Sequence, residues 1–116
     1  MMDKILSSIK QLLGISEELT AFDTEIIIGI NNALMSLNQL GIGPDSGFRI
    51  ADDTETWSQL LGSAINLEAV KTYIYLKTKL VFDPPQTAHL IDAITKQITE
   101  LEWRLEVQKE SEETIP

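Results

Sequence analysis

The segment LVFDPPQTAHLI (80–91) constrains the fold more than any other part of the chain. Proline has no N–H to donate and disfavours helical geometry in the residue before it. Asp83-Pro84-Pro85 therefore ends one apolar helical pattern, and Thr87 is placed to cap the next. The spacing predicts a helix from Leu67 to about Phe82, capped by Asn66, and a long helix after Thr87. In the long helix Ile91, Ile94, Ile98, Leu101 and Leu105 are spaced three, four, three, four, a seam that suits packing against another helix. In the preceding helix Leu67, Val70, Ile74 and Val81 share a face with Tyr73 and Leu80 beside it. Lys71, Lys77 and Lys79 fall at other positions and read as its solvated side.

The same periodicity runs upstream. Asp3 is the expected cap of a first helix that reaches about Leu13, with Ile5, Leu6, Ile9, Leu12 and Leu13 on one face and Gly14 past its end. A second helix begins near Thr20 or Asp23 and runs to Leu40. Ile27, Ile30, Leu34 and Leu37 form its stripe, broadened by Ile26, Ala33 and Leu40. Gly41 to Ala51, GIGPDSGFRIA, reads as a structured loop, because Phe48-Arg49-Ile50 is too short to make a sheet. Asp52-Asp53-Thr54-Glu55 resembles a capping box opening a short third helix, with Trp57, Leu60 and Leu61 apolar and Gly62 at its end. Beyond Leu105 the pattern fades into QKESEETIP (108–116). The expected fold is all-α: a small bundle of about five helices in one domain, 1–108, with a long C-terminal helix and a flexible acidic tail, 109–116.

Chemistry is scarce. No cysteine is present, so disulfides, thiol nucleophiles and zinc–thiolate sites are excluded. His89 is the single histidine, and with Asp92 it makes only a weak metal pair. Gly41-Ile42-Gly43 follows a helix and lacks a Gly-Lys-Ser/Thr ending, so it reads as a helix stop and not a phosphate loop. Asp52-Asp53 reads as a helix cap before it reads as a magnesium site. No catalytic, cofactor or metal residue is expected, and no nucleophile, base and orienting group can be named for an enzyme.

Eighteen acids against nine bases give a net charge of −9. That argues against duplex wrapping and for a surface that repels passing DNA. The opening MMDKILSSIKQLLG lacks the character of a signal peptide, and Ile26 to Ile30 is too short to span a bilayer. The expectation is a soluble protein made in the cytoplasm.

Trp57 sits among Leu60 and Leu61 and reads as core. Trp103 lies off the Ile94–Ile98–Leu101–Leu105 seam, so it either broadens the intramolecular contact or marks an interface, where tryptophan is enriched.

Three stretches, NQLGIGP (38–44), LEAVKTYIYLKTKLVFDPP (67–85) and QITELEWRLEV (97–107), taken in this order and spacing, resemble the head-tail connector proteins of tailed bacteriophages. The tyrosine-containing helix that runs into Asp-Pro-Pro is the most specific of them. The likeness covers roughly Asp3 to Gln108. It implies a virion structural protein at the head-tail interface, made in the bacterial host. Such an adaptor docks beneath the portal as a ring of usually twelve copies, extends the DNA channel and offers a surface to neck or tail components. Its implied partners are the portal protein, copies of itself and a neck or tail completion protein, with neither a membrane nor a specific nucleic-acid sequence among them. C-terminal segments of the family commonly engage the portal. The candidate interface is therefore Leu101, Trp103, Arg104, Leu105 and Val107, with Asp83, Pro84 and Pro85 as the hinge that sets the last helix. The competing reading is a small helical regulatory or interaction protein acting as a monomer or dimer. A helix-turn-helix DNA binder lacks the basic recognition helix it would need.

Overall fold

The computed structural model describes residues 4–62 and 67–114, with side chains through Val107. Five helices follow in chain order: α1 (Ile5–Leu12), α2 (Asp23–Gln39), α3 (Trp57–Leu61), α4 (Leu67–Phe82) and α5 (Ala88–Thr114). Among the described residues there is no strand, only an isolated antiparallel bridge between Lys4 and Thr56.

The centre of the bundle is the antiparallel pair α2 and α4. Phe22 meets Phe82 edge to face at one end, Gly29 lies against Thr78, and Lys77 donates to Ser36 further along. Ile26, Ile30, Ala33, Leu34 and Leu37 are buried from α2, and Val70, Tyr73, Ile74 and Leu76 from α4. α1 packs across both and adds Ile5, Leu6 and Ile9. α5 lies along α4 and closes the other side with Ile98 and Leu105.

Several apolar positions differ from the periodic reading, and Leu12, expected on the apolar face of α1, is exposed at its end. Ile27 is only half-buried, because the stripe that meets α4 is centred on Ile26 and Ile30. Val81, expected on the core face, is exposed. Near the end of α4 the residues turned toward α2 are Thr78 and Phe82, one turn apart, and Val81 falls off that line.

The helix starts also differ. Lys4, not Asp3, precedes α1 and makes no side-chain cap; Asp3 lies outside the described residues. The orphan N–H groups of α1 are instead met from a distant loop. Ser7 donates its N–H to Asp53 Oδ1 at 3.1 Å and its hydroxyl to Oδ2 at 2.6 Å, while Ile5 N–H reaches the Glu55 carbonyl at 3.1 Å. Asp53 thus caps α1 across the fold and does not open α3. Asp52 accepts from the Thr54 N–H and hydroxyl, and these bonds hold its carboxyl below the usual value. The true capping box of α3 is Thr56 with Gln59. Asn66, the expected cap of α4, lies outside the described residues.

The loop 41–51 is structured, as its turn residues suggest. Asn31 on α2 clamps Ile50 with both halves of its amide, donating to the carbonyl at 2.9 Å and accepting from the N–H at 2.7 Å. That satisfies both backbone groups of Ile50 and seats its side chain in the core, while Ile42, also buried, donates its N–H to the Leu37 carbonyl at 2.9 Å.

Gly29 has a packing reason. A Cβ there would lie 3.0 Å from Thr78 Cγ2 and 3.3 Å from Thr78 Cα, and Thr78 is fully buried. Gly29→Ala should therefore lower stability by about 1–2 kcal/mol despite the better helix propensity of alanine. Thermal unfolding checks this, and adding Thr78→Ser, which removes Cγ2, should recover part of the loss.

Candidate functional site

Asp83-Pro84-Pro85 ends α4, and Thr87 caps α5. Asp83 N–H donates to the Lys79 carbonyl at 2.8 Å, closing α4, and its carboxylate lies 3.6 Å from the Lys79 ammonium. Pro84 and Pro85 follow, and Thr87 Oγ1 accepts from Leu90 N–H at 3.3 Å to cap α5. The chain reverses here. Lys79, Asp83, Pro84, Pro85, Leu90 and Ile94 line an open surface pocket of about 440 Å³ at the bend.

α5 then returns antiparallel to α4, and one polar contact marks the register. Tyr73, buried on α4, donates its hydroxyl to Glu102 on α5 at 2.6 Å. At equal rise along both helices, residue 108 comes opposite Leu67, where α4 begins. The α5 backbone is helical to Thr114. It passes the boundary expected for the tail and extends beyond the start of α4; the side chains of 108–116 lie outside the described residues.

Burial first, and the hydrogen bond to Glu102 second, push the Tyr73 phenol well above its ordinary value of 10.0. The folded state then holds this proton more tightly than the unfolded state. The stabilisation is fully present below about pH 10, the unfolded value, and falls as pH rises above it. Urea unfolding between about pH 9 and 11 should show this alkaline decline, and Tyr73→Phe should flatten it.

The five candidate interface residues divide between two faces of α5. Leu105 is 1 % exposed and Leu101 is half-buried, so both support the helix from beneath. Trp103 is 65 % exposed and does not broaden the core. Val107, one turn on, is also exposed, and exposed Arg104 pairs with Glu100 at 2.6 Å. The outer face of α5 therefore shows a tryptophan and a valine beside the Arg104–Glu100 pair and an exposed Glu106.

The lysines of α4 are not simply a solvated face. Lys71 lies 5.7 Å from the Trp57 ring centroid and Lys77 lies 5.6 Å from that of Tyr73, so their stems cover aromatic core residues. His89 is exposed, and no group of three His, Cys, Asp or Glu side chains among the described residues could hold a metal ion. Gly41 and Gly43 adopt φ of 86° and 87° in the loop after α2, the helix-stop role expected of them.

Periodicity missed the outward face of α2. Ile28 is 52 % and Met35 is 59 % exposed, one heptad apart. Ile28 joins Phe22, Val81 and Phe82 in a cleft near the corner that Glu25 and Asp83 also line. The signal was present in the sequence, since residues 26–44 contain no ionisable side chain.

No helix among the described residues is long and apolar enough to cross a membrane. No curated protein and no solved structure matches the chain. A family profile described as phage connector protein matches residues 5–112, from the first residue of α1 into the last turns of α5. It takes in the corner, the α4–α5 hairpin and the exposed Trp103 face together, and the chain belongs to this family of phage head-tail connectors.

Proposed function

We propose that the protein is a virion structural adaptor that forms a ring beneath the portal, lengthens the DNA channel and carries the attachment surface for the next neck or tail component. The family match over nearly the whole chain carries this reading, and the family is a structural one. The geometry supports it. Trp103 and Val107 are large apolar groups left uncovered on a helix whose opposite face packs against α4, as expected of a surface that a partner completes. The net charge of −9 suits a channel through which DNA slides without adhering. The helical extension of α5 past the start of α4 gives the region from Leu101 onward reach toward a portal.

Solution mass by light scattering across rising protein concentration tests self-assembly. A discrete species of about a dozen copies supports the ring. A chain that stays monomeric must instead close its ring on the portal, and it should then co-purify with a portal protein. Failure of both would leave the chain without the adaptor role.

The corner supplies a prediction. Asp83, Pro84 and Pro85 set the angle between α4 and α5 in this reading. Replacing both prolines with alanine loosens the joint. The double variant should assemble poorly while its melting temperature shifts by only a few degrees, about 1 kcal/mol. Unchanged assembly would show that the prolines only end the helix.

A further inference from the structure

The outer side of α2 is unusual for an acidic protein. Residues 26–44 carry no charge in a chain of which 23 % is charged. A solvent-facing helix surface is ordinarily charged. Charge depletion with exposed methionine marks the centre of a protein contact. Beside Met35 the loop at Phe48 and Arg49 rises to form a groove of about 460 Å³, lined also by Asn32 and Asn38. Among the described residues, Arg49 is the only ionisable one lining it. Among the described residues no carboxylate lies within ion-pair distance of Arg49.

The outer face of α5 has the complementary character. Trp103 and Val107 are exposed, and Glu106 lies on the same side. Glu100 is engaged by Arg104 and Glu102 by Tyr73. Glu106 has no ion-pair partner among the described residues. Two copies of a chain with net charge −9 repel each other over most of their surfaces. The groove escapes this, because it is otherwise uncharged and its single charge is a cation.

We propose that the α2–loop groove receives the outer face of α5 from a second copy of this chain, with Trp103 entering beside Met35 and Phe48 and Glu106 meeting Arg49. The inference rests on the self-association proposed above and names the surfaces that make it. The two patches differ, so after a first contact one copy still has its α5 face free and the other its groove, and the contact propagates head to tail as a ring requires.

The absence of cysteine allows a direct test. Full-length Asn32→Cys and full-length Val107→Cys, which leave Trp103 and Arg49 intact, are mixed at high concentration with a short bis-maleimide linker. Linked pairs between the two variants should form about tenfold faster than pairs within either variant. Adding Trp103→Ala or Arg49→Glu should remove this preference, and combining Arg49→Glu with Glu106→Arg on the partner should restore it. Linking only between like variants, or none at all, overturns the proposed contact. A ring detected by light scattering or on a portal without Asn32→Cys to Val107→Cys linking overturns this contact and leaves the adaptor reading standing. Linking between Asn32→Cys and Val107→Cys together with a solution mass that never exceeds two copies supports the groove and counts against the ring.

Discussion

Trp57→Ala should cost about 3–5 kcal/mol, a large part of the 5–15 kcal/mol that ordinarily holds a domain of this kind together. The indole is buried on α3, where α1, the loop and α4 converge. Its Nε1–H donates to Ser8 Oγ on α1 at 2.9 Å, and the Lys71 ammonium from α4 lies over its ring. Alanine would open a cavity that three elements cannot close together, because α1 is held to the 53–56 segment by Asp53 and by the Ile5 bond to Glu55. Trp57→Phe separates packing from hydrogen bonding. It keeps most of the ring and should lose only about 1 kcal/mol, mainly the Nε1 bond. Urea denaturation of both variants checks the difference. Equal losses would mean that the hydrogen bond, not the packing, holds α3.

Lys10→Met should be the next most damaging change, at about 2–3 kcal/mol. Lys10 is 3 % exposed on α1. Its ammonium donates to the carbonyls of Glu17 at 3.1 Å and Leu19 at 2.7 Å, so it ties the first loop to the helix before it. Asp23 Oδ1, at the start of α2, lies 2.8 Å away; it contributes by charge, since the approach lies outside hydrogen-bond geometry. Methionine keeps the stem and its packing and removes all three interactions. The carboxylate left behind is the main penalty: its Oδ1 is buried with no other hydrogen-bond partner, while the side chain as a whole is 26 % exposed, which keeps the loss below that of a fully buried pair. Asp23→Asn added to Lys10→Met should recover part of the stability, and a double-mutant cycle measures how much. No recovery would assign the cost to the two carbonyls.

Neither anchor was visible in full from the sequence. Trp57 was legible as core because Leu60 and Leu61 sit beside it on the helix, but its tie to Ser8 joins residues far apart in the chain. Lys10 looked like an ordinary polar position between Ile9 and Gln11. A lysine becomes a buried staple only when loop carbonyls fold over it, and periodicity carries no information about where a loop returns.

What the sequence alone determined was the set of helices and the corner. Proline chemistry marked the reversal at Asp83-Pro84-Pro85, and the three-four spacing of Ile91 to Leu105 identified a helix that buries one face. Both are local rules, written within a few residues. Tertiary structure alone decided which acid caps which helix, with Asp53 serving α1 from more than forty residues away. It also decided that Val81 faces out and that Trp103 remains uncovered. A helical wheel gives angles around one axis. Which angle is buried depends on where the neighbouring helices stop, and only the assembled bundle holds that information.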